Sequence, residues 1–145
     1  MKPNFHWLAL PLACLSLSVV PVTAAAGGAL TPAEREAIVA TATHAAAQSL
    51  HIDSARLRLV PERVHRQGEW VFMTAQMQDA AGQRFDYTGT DQLEAAQNGG
   101  KSSLCAALLR REGTAWKLLD IAVGPTDVAW ENWPEAHKAP KALFQ

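Results

Sequence analysis

The chain has 145 residues and carries 13 Lys and Arg against 14 Asp and Glu, a net charge of −1. A nucleic-acid-binding surface needs clustered positive charge to displace counterions, and this balance argues against one. The length fits one domain of a size that can bury an apolar core without disulfides or metals to hold it.

The N-terminal segment has the pattern of a secretory signal peptide. Lys2 precedes an apolar run over residues 7–20, and small residues at 24–26 provide cleavage sites. The run is too short for a membrane-spanning helix, which needs about 20 apolar residues. Residues 1–26 are therefore a predicted signal peptide, cleaved near Ala24 to Ala26, and the mature protein is expected to be periplasmic or secreted. The alternative of a lipid anchor on Cys14 is disfavoured because Pro11 stands where the lipoprotein box normally has an aliphatic residue.

Residues 27–145 form one predicted α+β domain, which begins with a helix. Thr31 can cap the helix, Pro32 suits its first turn, and Glu34 completes a capping box. The helix is predicted to end near Leu50. The helix carries a stripe of mostly small residues at helical spacing, which lets the helix lie close on a sheet. The stripe consists of Ala37, Ile38, Ala42, Ala45, Ala46 and Ser49.

Alternation of apolar and polar residues predicts a curved antiparallel sheet of about five strands. Residues 56–66 and 70–77 form a first hairpin, and residues 84–88 a third strand with Phe85 and Tyr87 on one face. A helical turn capped by Asp91 follows. Residues 103–111 and 115–123 then form a second hairpin around Glu112 and Gly113.

Both faces of the second hairpin are apolar. Leu119, Ile121 and Val123 alternate along its last strand with Trp116, Leu118 and Ala122. Because one helix covers only one face of a sheet, the C-terminal tail is expected to cover the other.

Two residues of this hairpin are chemically conspicuous. Removal of the leader takes Cys14 away, so Cys105 has no intramolecular disulfide partner, and its apolar neighbours favour a buried thiol over a reactive one. Asp120 interrupts an apolar strand. With Glu112 and Gly113 as the turn, it faces Cys105 and needs a polar partner from the tail.

The tail contains the candidate binding residues. Thr126 or Asp127 can cap a short aromatic helix that runs through Trp133 and ends at Pro134. Its rings either close the second face of the sheet or line a groove for a ligand or partner. The residues of that groove are Asp127, Trp130, Trp133 and His137.

No motif identifies a catalytic, cofactor or metal site. His44 and His51 lie about 10.5 Å apart along a helix, too far to share a metal ion at about 2 Å from each nitrogen. Lys101, Ser102 and Ser103 lack the serine-to-lysine spacing of penicillin-binding enzymes, and the chain has neither an HExxH motif nor a serine flanked by glycines. We therefore expect no enzyme activity, no cofactor and no metal.

One long helix followed by a curved antiparallel meander resembles the cystatin-like and NTF2-like layouts over nearly all of residues 27–145. The resemblance concerns the layout alone and implies no activity, because such layouts host enzymes, ligand pockets and inhibitors. We expect a non-enzymatic binding protein whose partner is another exported protein or a cell-envelope component. The alternatives are a small-ligand pocket or enzyme between helix and sheet, and an inhibitor or immunity protein against an exported toxin.

Overall fold

A computed structural model describes residues 28–145, and the predicted signal peptide lies outside the described residues. The elements are a long helix, a four-stranded sheet and two short helices: α1 (Pro32–Ser49), β1 (Arg58–Gln67), β2 (Trp70–Gln78), α2 (Leu93–Gln97), β3 (Leu104–Glu112), β4 (Ala115–Val123) and α3 (Trp133–Ala136). The strands are antiparallel in the order β1-β2-β3-β4, and α1 packs on one face of the sheet. The α+β class is therefore confirmed, with four strands where the sequence predicted about five.

The start of α1 is fixed by the predicted capping box. The Thr31 hydroxyl accepts a hydrogen bond from the Glu34 N–H at 3.1 Å, and the Glu34 carboxylate accepts one from the Thr31 N–H at 2.9 Å. The hydrogen bond that the Thr31 N–H donates to the Glu34 carboxylate is the main cause that holds the pKa of this carboxyl below its usual value. The same carboxylate lies 3.6 Å from Arg66 of β1 and 3.3 Å from Arg111 of β3. The first turn of the helix is thereby attached to the sheet.

We expect Thr31→Ala to lower the free energy of unfolding by about 1 kcal/mol, because one backbone N–H of the first turn loses its acceptor. Thr41→Ala is the matched control, since the Thr41 hydroxyl donates to the Ala37 carbonyl inside the helix and caps nothing. Urea titrations of the two variants measure the difference. An equal effect of both substitutions would contradict a role for the cap.

The turn of the second hairpin differs from the prediction by one residue. Gly113 and Thr114 form it, with Glu112 opposite Ala115. A register shift at Leu108 then makes Leu119 an extra residue in β4, a β-bulge that places Asp120 opposite Leu108. The prediction that Asp120 faces Cys105 is wrong, and Cys105 pairs with Val123.

The bulge also changes which side chains of β4 share a face. Leu118, Ile121 and Val123 pack on the α1 side, whereas Leu119 and Ala122 pack on the opposite side. The predicted grouping of Leu119 with Ile121 and Val123 is therefore wrong. An extra residue reverses the alternation at the point where it is inserted.

The predicted third strand, residues 84–88, is irregular. It makes one isolated bridge, between Arg84 and Gln78, and Tyr87 has a left-handed backbone with φ of 66° that interrupts an extended strand. Phe85 and Tyr87 are nevertheless both buried, with their rings 5.1 Å apart. The predicted helical turn follows as α2, but its N-cap is Gln92 and not Asp91.

The sheet has an apolar core on each face. Between α1 and the sheet lie Ile38 and Ala42 of the helix with Val71, Met73, Ala75 and Met77 of β2. The other core is built on Phe72, Ala106 and Leu108, and residues from the tail cover it: Trp130, Trp133, Ala139, Leu143 and Phe144. The tail therefore covers the second face, as the sequence predicted.

The tail helix predicted from Thr126 or Asp127 through Trp133 is not confirmed, and a four-residue helix, α3, lies at the end of that segment. It begins at Trp133 with Asn132 as N-cap, so neither Thr126 nor Asp127 caps it, and residues 129–132 form a turn. Pro134 lies in the first helical turn and does not end the helix. Proline fits that position because backbone N–H groups in the first turn have no acceptor within the helix, so the N–H that proline lacks costs no hydrogen bond.

Candidate binding site

Both tryptophans of the predicted site pack onto the sheet. The ring centroids of Trp130 and Trp133 lie 5.6 and 6.3 Å from that of Phe72, which also contacts Phe144 at 4.8 Å. Trp133 retains only 5% exposure. Aromatic pairs at these distances stabilise a core beyond the area that they bury. The two rings therefore fill the second core and leave little surface for a ligand between them.

His137 joins the tail to β4. Its Nε2 lies 2.7 Å from the Asp120 carboxylate, and the same side chain of Asp120 accepts a hydrogen bond from the Ile121 N–H. The predicted need of Asp120 for a partner from the tail is thus met by His137. Asp127 is exposed, and its backbone carbonyl accepts a hydrogen bond from Ala129. Of the four predicted residues, the structure brings Trp130 and Trp133 together at Phe72 and assigns His137 to a separate contact.

Cys105 lies in the core between helix and sheet. It is fully buried, and burial raises the pKa of its thiol to about 12. The neighbouring positions of β2 and β3 that point to α1 are also apolar and buried, including Met73, Ala75 and Ala107. No reactive thiolate is available in this space at neutral pH.

We expect the native protein to resist thiol reagents. Incubation with a disulfide reagent at pH 8 should modify Cys105 at least about a hundredfold more slowly than in 6 M guanidinium, because both access and ionisation require unfolding. Peptide mass after digestion, which separates Cys105 from Cys14, measures the rate. Modification at the same rate with and without denaturant would contradict the buried position.

An open groove runs between α1 and β1. It consists of two adjoining cavities, of about 670 and 440 Å³, that share Glu36, Val39 and Ala40 of the helix as a common wall. The larger cavity is completed by Leu57, Leu59 and other residues at the start of β1, and the smaller by Pro32, Arg35 and Pro61. The smaller one is almost entirely apolar.

The placement of α1 on the sheet leaves this groove open. The helix packs chiefly over β4, at the far edge of the sheet, and approaches β1 less closely. At the distal end, His44 Nδ1 lies 3.3 Å from the Ser54 hydroxyl, which links the helix to the segment before β1. At the other end, Glu34 reaches Arg66. The groove is therefore held between two polar contacts.

The outer edge of β1 borders the groove, and within residues 28–145 β2 is the one strand that pairs with β1. Pro61 has no N–H, and the register shift between Pro61 and Arg63 makes Glu62 an extra residue. Proline and bulges are devices that prevent another strand from pairing with an edge. The groove is thus open to a partner, whereas continuous strand addition is blocked in the middle of β1.

Two arginines flank the shared wall of the groove. Arg35 lines the smaller cavity and Arg58 the larger, both are exposed, and within residues 28–145 neither forms a side-chain hydrogen bond or ion pair. Glu36 is the one acidic residue among the lining residues of the two cavities. Of the acids beside the groove, Glu34 is paired with two arginines, whereas Glu62 accepts a hydrogen bond from the neutral amide of Gln76 and keeps its charge. The residues that line the groove itself therefore carry two arginine charges against the one carboxylate of Glu36.

The sequence did not indicate this groove. Its stripe of small helical residues predicted close packing on the sheet, but Val39 and Ala40 lie beside that stripe and face the open edge. The alternation that predicted a strand over residues 56–66 includes Leu57 and Leu59, which are buried at 5% and 4% exposure. Pro61 within a strand was the available signal, since proline in a strand marks an edge.

A further cavity of about 400 Å³ lies between residues 84–87 and 101–103. Several of its polar groups are used by the fold. The Tyr87 hydroxyl donates to the Ser102 carbonyl, and the Lys101 ammonium donates to the Val123 carbonyl at 3.2 Å. The backbone N–H of Thr88 lowers the pKa of the Asp86 carboxyl. The polar groups of this cavity therefore mainly connect the irregular segment to the last strands.

Comparisons with protein-family models, with curated proteins and with solved structures found no match. Among residues 28–145, no three His, Cys, Asp or Glu side chains are grouped so that they could hold a metal ion. None of the helices in that part of the chain has the length and apolar character needed to cross a membrane.

Proposed function

We propose that the protein is an exported, non-enzymatic binding protein and that it contacts another exported protein through the groove between α1 and β1. The observation that carries the proposal is the groove itself: it combines an apolar smaller cavity with two exposed arginines that have no side-chain partner among residues 28–145, beside an open sheet edge. Exposed apolar surface rimmed by polar residues is typical of protein contacts. A cell-envelope component such as a glycan would need polar groups along the cleft, which the apolar smaller cavity does not offer.

The interior favours binding over catalysis. A ligand pocket or active site between helix and sheet would require titratable side chains converging there. The side chains of β2 and β3 at that position are instead apolar and fully buried: Val71, Met73, Ala75, Met77, Cys105, Ala107 and Leu109. This space is a packed core.

The pair of Asp120 and His137 supports the alternative of an enzyme. A carboxylate 2.7 Å from an imidazole is the arrangement that orients a histidine as a general base. Such a base needs a nucleophile within hydrogen-bond reach, and among residues 28–145 no hydroxyl or thiol is hydrogen-bonded to His137. We therefore assign this pair to fixing the tail on β4.

Photo-crosslinking in the producing cells tests the proposed surface. A benzophenone amino acid in place of Ala40 lies in the shared wall of the groove, and one in place of Ala37 lies on the same helix outside the cavities. Both positions are exposed, so both variants should fold. We expect an adduct with one exported protein from position 40 alone, identified by peptide mass. Equal labelling from both positions, no adduct, or a glycan adduct would overturn the proposal.

Export is tested by the mass of the protein itself. The predicted signal peptide implies an N-terminus between Ala25 and Gly27 and no acyl group. Intact mass of protein from the periplasm or medium measures both. An uncleaved chain in the cytoplasm, or a chain that begins at a lipidated Cys14, would contradict this prediction.

A further inference from the structure

We infer that the groove takes a short segment with one apolar anchor side chain flanked on both sides by acidic residues, and that the segment lies in the groove without extending the sheet. The inference rests on the proposed function and specifies its partner. It follows from how the apolar, charged and backbone groups are distributed along the groove.

The smaller cavity selects an apolar side chain. The smaller cavity is bounded by the rings of Pro32 and Pro61 and by Val39 and the methyl group of Ala40, and its exposed lining is nearly all carbon. Burial of one large apolar side chain of the partner in this cavity favours binding. A single Leu, Phe or Trp from the partner is enough to provide most of the contact energy in such a site.

The flanking charges select acidic neighbours for that anchor. Arg35 and Arg58 belong to different cavities, and the shared wall lies between them. A carboxylate next to the anchor can therefore face Arg35, and one on its other side, beyond the shared wall, can face Arg58. Glu36 stands in the shared wall and disfavours an acid at the centre itself. The partner segment is therefore expected to have an acidic residue, then the apolar anchor, then a second acidic residue.

The backbone of β1 determines how the segment lies. Pro61 cannot donate a hydrogen bond, and the bulge at Glu62 interrupts the spacing of the strand beside it. A partner strand would lose its ladder of hydrogen bonds at the point where the groove is most apolar. Recognition therefore depends on side chains in the groove.

Selection of phage-displayed random 12-residue peptides on the full chain tests this inference. We expect enrichment of Leu, Phe or Trp with Asp or Glu on both sides. The double substitution of Arg35→Glu and Arg58→Glu should weaken the enriched peptides at least about tenfold at low salt and favour Lys or Arg at the flanking positions in a new selection. Arg63→Glu with Arg84→Glu is the matched control, because both arginines are exposed and lie outside the groove.

Ala40→Trp should abolish binding of the enriched peptides, whereas Ala37→Trp should leave it unchanged. Peptides without acidic preference, peptides insensitive to Ala40→Trp, or a selection that enriches nothing would each overturn the inference. An adduct from position 40 in the crosslinking experiment would still support the proposed function in those cases. Loss of both results would overturn the two proposals together.

Discussion

Replacing Gly124 by Ala should lower the free energy of unfolding by about 2–5 kcal/mol, from left-handed backbone strain together with overpacking. Gly124 follows β4 with φ of 67°, and a Cβ at this position would overlap the Tyr87 hydroxyl oxygen and lie 3.0 Å from the Ser102 carbonyl oxygen. The Gly124 N–H donates to the Leu104 carbonyl, and the Gly124 carbonyl accepts from the Ser102 N–H. The backbone at Gly124 therefore cannot move away without loss of those hydrogen bonds. Guanidinium titrations measure the change.

Two controls separate strain from overlap. Gly113→Ala has a similar φ of 62° with nothing within 4 Å of the new Cβ, so it should cost only about 1–2 kcal/mol. Tyr87→Phe removes the oxygen that the new methyl group at position 124 would meet, and it should therefore recover part of the loss in the double variant. Equal effects of the alanine substitutions at 113 and 124 would show that the overlap contributes nothing.

Trp133→Ala should cost about 3–5 kcal/mol, because truncation of a buried ring leaves a cavity over Phe72 that the tail cannot fill. Trp133 retains 5% exposure, whereas Trp130 is only partly buried, so Trp130→Ala should cost less. Denaturant midpoints of the two variants measure the ranking. An unchanged midpoint for Trp133→Ala, with loss of a partner, would identify the rings as a binding platform and contradict their role in the fold.

Local signals predicted much of the fold. The capping box indicated the start of α1, the alternation of apolar and polar residues predicted the hairpin of β1 and β2, and two apolar faces implied a second cover from the tail. All three features depend on residues within a few positions of each other or on a simple requirement for burial. They can therefore be predicted from the sequence without knowledge of the tertiary arrangement.

The predictions of strand pairing failed where a shift of one residue changes which residues face each other. Glu112 with Gly113 and Gly113 with Thr114 are both acceptable two-residue turns, and the extra residue at Leu119 leaves no mark in the sequence. Together they changed the partner of Asp120 from Cys105 to Leu108. At residues 84–88 the sequence predicted Phe85 and Tyr87 on one face of a strand; both are buried, but with a left-handed Tyr87 and without the strand.

The candidate site was the least predictable feature. The aromatic tail was the most distinctive segment, and most of its rings are used to cover the sheet. The groove instead results from the position of α1 over β4, which brings Val39 and Ala40 opposite Leu57 and Pro61 across about twenty residues of chain. A gap between two elements is a property of their packing, and no local pattern specifies it.

Amide hydrogen exchange of the full chain, with and without the most enriched peptide, tests the central claim that the groove is the binding surface. We predict slower exchange in residues 35–40 and 57–61 and no change in residues 126–137. Slower exchange in residues 126–137 with none along the groove would contradict the account and would return the binding site to Asp127, Trp130, Trp133 and His137.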